Sequence, residues 1–226
     1  MKVHPYDQWA PDARALDLVG DKWTLLIVRD LVGGPRRFVE LQRVLPGIST
    51  EQLRSRLNRM VADGLLTRQR YREVPPRVDY ELTERARDLV PVLGALAHWG
   101  YRWAWGAPRR GEEVDVGAIL RLAPGLLTPP AGVSGIVEMT VTERSKEPAS
   151  RTYVLEARNG RVSIAEREAP DADARLAGPE SAWVRALGPD ADRQALELDG
   201  DARLAEALLD AFGAEAERAA AASAAA

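Results

Sequence analysis

Two consecutive prolines, Pro75 and Pro76, separate two short extended runs, Leu66 to Arg72 and Val78 to Leu82. Neither proline can donate to a strand ladder, so Glu73 to Pro76 must form the turn of a hairpin. Upstream the pattern is helical and closely punctuated. Pro11 and Asp12 open a helix over Ala13 to Val19. Asp21 caps a second over Lys22 to Val32, with Trp23, Leu26, Ile27 and Leu31 as its apolar stripe, and Gly33-Gly34-Pro35 stops it. A third, Phe38 to Leu45, closes at Pro46-Gly47. Ser49 and Gln52 stand at capping-box spacing for a fourth, which Gly64 ends at Asp63. After the hairpin, Thr83 caps a long helix through about Trp103, bent or divided at Pro91.

Short helices joined by a tight turn and followed by a basic ribbon are the parts of a winged helix-turn-helix. In the fourth helix Leu53, Leu57 and Val61 recur at spacing four and are expected in the core. Polar residues fill its other faces. Gln suits adenine and Arg suits guanine in the major groove, while Ser and Thr reach bases or phosphates. Arg72 and Arg77 flank the Pro-Pro tip, where a wing meets the backbone or minor groove. Arg36 and Arg37 follow another tight turn. The candidate DNA contacts are therefore Arg36, Arg37, Ser49, Thr50, Glu51, Gln52, Arg54, Ser55, Arg56, Arg59, Arg72 and Arg77. Any one of these arginines is better explained as a solvated surface residue; it is the set, on this architecture, that points to nucleic acid.

Charge supports the division of labour. The net charge of −3 conceals two unlike halves. Residues 1–110 carry 19 Lys plus Arg against 13 Asp plus Glu, a net of +6; residues 111–226 carry 12 against 21, a net of −9. A basic half joined to an acidic half suggests two domains with different partners; chance drift in surface charge is the blander alternative. With no cysteine, disulfides, thiolate metal sites and thiol sensing are excluded. The two histidines, His4 and His98, stand apart. No P-loop, dinucleotide fingerprint or nucleophile elbow is present, so the residues nominate no catalytic site, metal or cofactor. No apolar run spans a bilayer and the start lacks a secretory pattern, so a soluble, cytoplasmic protein is expected.

The stretch Ala13-Arg14-Ala15-Leu16-Asp17-Leu18-Val19-Gly20-Asp21-Lys22-Trp23-Thr24-Leu25-Leu26-Ile27 resembles the signature of HxlR-type winged-helix regulators. Gly34-Pro35-Arg36-Arg37-Phe38, Leu45-Pro46-Gly47-Ile48-Ser49, Gly64-Leu65-Leu66 and Pro75-Pro76-Arg77-Val78-Asp79-Tyr80-Glu81-Leu82-Thr83 are similar in the same order, over roughly the first 105 residues. The resemblance implies a homodimer on palindromic double-stranded DNA, acting as a repressor, joined through the first and last helices. Many members sense oxidants through a cysteine before the first helix; here Ala10 holds that place. Leu89, Val92, Leu93, Leu96, Trp99 and Trp103 form a stripe on the long helix and are the expected dimer seam. The competing account is that this stripe packs on the chain's own second half.

Beyond Gly106 to Gly111 the texture changes. Strands are expected at Gly135 to Thr142, Arg151 to Arg158, Arg161 to Glu166, Asp173 to Leu176 and Ala195 to Leu198, with Asn159-Gly160 a hairpin turn. Helices are expected at Pro179 to Leu187 and Asp201 to Phe212. The fold class is thus α+β: an N-terminal winged helix-turn-helix (1–106), a linker (107–112), an α+β domain (113–213) and an Ala-rich tail (214–226). Asp173-Ala174-Arg175-Leu176-Ala177-Gly178-Pro179-Glu180-Ser181-Ala182-Trp183 and Leu196-Glu197-Leu198-Asp199-Gly200-Asp201-Ala202-Arg203-Leu204 resemble sterol-carrier-type lipid-binding domains. That implies an apolar pocket for a small-molecule effector, lined by Ile136, Met139, Trp183, Val184, Leu187, Leu208 and Phe212. Each of these also serves as ordinary core. A lipid or small-molecule carrier with no regulatory DNA role is the alternative function.

Overall fold

A computed structural model describes residues 5–72, 77–143, 149–188 and 191–212. The Glu73 to Pro76 turn and the Ala-rich tail lie outside the described residues. By packing, the chain divides into two compact units, Met1–Val90 and Pro91–Ala226.

The first unit runs α1 (Pro11–Val19), α2 (Thr24–Leu31), β1 (Arg36–Arg37), α3 (Phe38–Val44), α4 (Thr50–Ala62), β2 (Leu66–Tyr71), β3 (Arg77–Leu82) and α5 (Glu84–Arg87). The punctuation acts as expected. Asp21 Oδ1 accepts the Trp23 and Thr24 N–H groups at the start of α2, at 2.8 and 3.1 Å. Ser49 and Gln52 complete a reciprocal capping box on α4, each side chain accepting the other's backbone N–H at 3.2 and 3.1 Å. Ile27, Val28, Leu31, Leu41, Leu53, Leu57, Met60, Leu66 and Leu82 form the core. Met60 takes the place expected of Val61, which is only half-buried. At 3.6 residues per turn a third residue at spacing three closes the stripe better than one at spacing four. β1, β3 and β2 make an antiparallel sheet in that order, with Leu66 opposite Leu82.

The second unit holds all but the first residue of α6 (Val90–Trp103), then α7 (Val116–Leu120), α8 (Ala123–Leu126), β4 (Gly135–Thr142), β5 (Ser150–Arg158), β6 (Arg161–Ala165), β7 (Ala174–Pro179), α9 (Glu180–Leu187), β8 (Glu197–Gly200) and a last helix α10 over residues 202–212. The long helix expected from Thr83 is divided near Pro91, leaving Asp88 and Leu89 between α5 and α6. The five strands lie in the order β6-β5-β4-β7-β8, antiparallel except for the parallel pair β4 and β7. Alternation along β4 buries Val137, Met139 and Val141 on one face and leaves Glu138, Thr140 and Thr142 half-exposed on the other. Trp183, Leu187, Leu208 and Phe212 are fully buried with that first set, and Trp183 Nε1 donates to the Thr140 carbonyl at 3.0 Å. Ile136 shares the face of Glu138, so a pocket that includes Met139 excludes Ile136, and Val184 is only half-buried.

The covered face also holds a charge. Arg121 is buried, with Nε on Glu166 Oε1 at 2.6 Å, Nη1 on Asp115 Oδ2 at 3.3 Å and Nη2 on the Tyr153 hydroxyl at 3.3 Å. Burial pushes the Tyr153 hydroxyl above its ordinary value. The segment expected as linker, 107–112, begins a few residues after α6 ends, whereas the packing boundary falls earlier, at Val90, with α6 fastened to α8. A methyl group on Gly94 would stand 1.8 Å from the Gly125 carbonyl oxygen, and Leu126 packs against buried Tyr101. α6 therefore counts with the sheet, not with the helices before it.

This contact predicts an inversion of the usual glycine rule. Gly→Ala in a helix ordinarily gains about 0.5–1 kcal/mol. Gly100, also in α6, has nothing within 4 Å of its missing Cβ, so Gly100→Ala should show that gain. Gly94→Ala should instead lose about 1–3 kcal/mol from overpacking. Urea denaturation of both variants checks the contrast; equal effects would refute the close approach.

Candidate nucleic-acid interface

α4 offers its outer surface because one stripe is fixed inside. Leu53, Leu57 and Met60 face the core, so helical geometry turns Glu51, Ser55 and Asn58 outward, with Arg54 and Gln52 flanking them. All five are exposed. Gln42 Nε2 reaches across the turn from α3 to Thr50 Oγ1 at 2.7 Å. The far end is tied as well: Arg85 Nη1 donates to the Asp63 carbonyl at 2.9 Å, and Thr83 Oγ1 to that of Gly64 at 2.8 Å. Both ends of α4 are thus held by side chains from neighbouring elements.

The expected contact residues fall into two groups. Ser49, Thr50, Glu51, Gln52, Arg54, Ser55, Arg37 and Arg72 are exposed. Arg54 pairs with Glu51 at 3.1 Å, and the two are 58% and 82% exposed, so either separates readily when a stronger partner arrives. The others are engaged. Arg59 pairs with Asp63 at 3.4 Å and Arg56 with Asp21 at 3.1 Å. Arg36 is buried in β1, opposite Tyr80, and so leaves the phosphate candidates: strand alternation turns it inward and Arg37 outward. Arg77 spends its guanidinium on buried Asp79, with Nε 2.9 Å from both carboxylate oxygens, and lies over the Tyr71 ring at 5.1 Å.

Arg68, Arg70 and Asn58, which the sequence places among the polar and basic residues of this region without singling them out as contacts, are also exposed. β2 is an edge strand exposed on both sides after Leu66, and Arg68, Arg70 and Arg72 recur at spacing two in and just after it. The period is visible in the chain; that both faces stay open depends on what packs nearby. On α6, Val92, Leu96, Trp99 and Trp103 are 49%, 53%, 58% and 53% exposed, a continuous apolar face. Leu93, at the edge of this stripe, is buried, and Leu89 is half-buried. Among the described residues no helix is long and apolar enough to cross a membrane, and no group of side chains is arranged to hold a metal ion.

The Arg77 hydrogen bonds hold the Asp79 carboxyl below its ordinary value, against the opposing effect of burial. A carboxyl lowered in the folded state contributes stability above the unfolded value of about 4 and loses it as pH falls through the folded value. Arg77→Ala should therefore cost about 1–2 kcal/mol at pH 7, Arg77 itself being partly exposed, and the difference should shrink in acid. Urea titrations at pH 7 and pH 3 measure it. A deficit independent of pH would mean that Arg77 acts by packing on Tyr71.

The family model for HxlR-like helix-turn-helix proteins matches residues 18–107. An HTH-type transcriptional regulator of Synechocystis sp. is 42% identical over 93 residues, which are 41% of this chain and 69% of that protein. The HTH-type transcriptional regulator YybR of Bacillus subtilis is 35% identical over 98 residues, 43% of this chain and 78% of that one. The solved structure of the redox regulator HypR in its oxidized form is 36% identical over 40% of this chain and 94% of its own, with a TM-score of 0.39.

Proposed function

The chain belongs to the HxlR-like helix-turn-helix family of transcriptional regulators, and from that premise we propose that it binds duplex DNA as a homodimer and represses transcription from a palindromic operator. The observation that carries the reading is the outward face of α4, with Glu51, Ser55 and Asn58, beside an edge strand that lines up Arg68, Arg70 and Arg72. The helix face reads bases and the arginines neutralise phosphates. Arg37 adds a phosphate contact, and Arg54 is released from Glu51 on binding. The alternative of a carrier without DNA function leaves those arginines unexplained.

Replacing Arg68, Arg70 and Arg72 together by Ala should weaken every duplex alike and flatten the salt dependence by about 0.9 per lost phosphate contact. Asn58→Ala should instead change base preference, at a cost of about 1–3 kcal/mol. Fluorescence anisotropy over a salt series, with duplexes selected from a random pool, separates the two; an unchanged slope in the triple variant removes the strand from the interface.

The exposed Val92, Leu96, Trp99 and Trp103 face is the dimer seam in this reading. Leu96→Glu would place an unpaired carboxylate there, and sedimentation should then find folded monomer. An intact dimer would place the seam elsewhere.

The C-terminal unit is the sensing part, a sterol-carrier-like domain taking an apolar effector among Met139, Trp183, Leu187, Leu208 and Phe212. It supports this role that all five residues are buried, Met139 on the covered face of β4. An effector acts only by favouring one of two conformations. Titrating fatty acyl compounds should shift Trp fluorescence and duplex affinity together; fluorescence changes alone would make the unit a passive binder.

A further inference from the structure

Asp21 gathers donors from two helices. Its Oδ1 accepts the Trp23 and Thr24 N–H groups at 2.8 and 3.1 Å. Its Oδ2 accepts the hydroxyl of Thr24 and Arg56 Nη1, the latter at 3.1 Å. Thr24 is fully buried, and the Asp21 and Arg56 side chains are only 18% and 19% exposed. One carboxylate therefore starts α2 and grips the middle of α4.

Arg56 is the seventh residue of α4, between buried Leu53 and Leu57 along the chain. The helical step places it close to the buried stripe, away from Ser55 and Asn58 on the outward face. A half-buried ion pair adds little net stability, because desolvation offsets most of the attraction. What it does fix is geometry. A guanidinium held by a carboxylate that is itself held by three other donors permits little sliding or rolling of one helix on the other.

We propose that Asp21 and Arg56 are positioning residues for DNA recognition: through their ion pair α2 sets the angle at which α4 presents Glu51, Ser55 and Asn58. Arg56, a base-contact candidate by its place in the sequence, touches neither base nor phosphate. The inference rests on the DNA-binding reading for its consequence, but the helix geometry it invokes exists without DNA.

The test uses the full-length chain with Asp21→Asn, Arg56→Gln and the double substitution. Asp21→Asn keeps the Oδ1 acceptor for α2, so it carries the test if Arg56→Gln does not fold. In DNA-free protein, residual dipolar couplings of the α2 and α4 amides should show both helices intact and α4 reoriented in each variant. Unchanged couplings would overturn the proposal. On a 30-bp duplex selected from a random pool by the parent protein, each single variant should lose about tenfold in affinity, the size of a base contact. The double variant should lose no more than the worse single one, and the salt slope should not change. A slope flatter by about 0.9 in Arg56→Gln, with Asp21→Asn neutral, would make Arg56 a phosphate contact and overturn the proposal. A loss confined to one base pair would make Arg56 a base reader and overturn it equally. If the parent selects no duplex at all, the DNA reading fails, while the couplings still decide whether the pair positions α4.

Discussion

What α4 can show to a partner is decided by what it hides. Leu53, Leu57 and Met60 are its contribution to the core of the first unit, and burying three such side chains contributes several kcal/mol, on the order of 1.5–3 each. No surface contact on that helix competes with a term of this size. The outward set, the bonds from Thr83 and Arg85 at one end and the Gln42 contact at the other are consequences of that anchoring. Polar side chains then refine the placement, and the charged ones left over are available for other work.

Local chemistry made much of the first unit legible. Caps, prolines and glycines act over three or four residues, so Ser49, Gln52, Thr83 and the Pro46-Gly47 break mark element boundaries in the chain itself. β1 was not readable in this way: two residues become a strand only because β3 lies alongside. α7 and α8 escaped for a related reason. Each is under six residues, too short for a periodic pattern, and Pro124 and Gly125 argue locally against a helix. In the interface the arginines were visible but their engagements were not. Whether Arg56 is free depends on Asp21, and whether Arg77 is free depends on the burial of Asp79; both are facts of packing.

The second unit shows the limit of reading polarity as location. Arg121 would be assigned to the surface from its type, yet it lies under the sheet with Tyr153 because Glu166 and Asp115 meet its charge. Gly117 makes the room: a methyl group there would stand 2.0 Å from the Tyr153 hydroxyl. The domain expected to hold an apolar pocket therefore also buries a polar cluster around Arg121.

The Gly94 and Gly125 approach brings main chain against main chain, and such a contact has no intermediate settings. A side-chain interface can drift through a series of slightly larger or smaller residues; this one is either present or lost. It also locks the phase of α6. Adding one residue between Val92 and Gly94 would turn Val92 by about 100°, out of line with Leu96, Trp99 and Trp103. The stretch from Val92 to Gly94 should therefore tolerate no insertions.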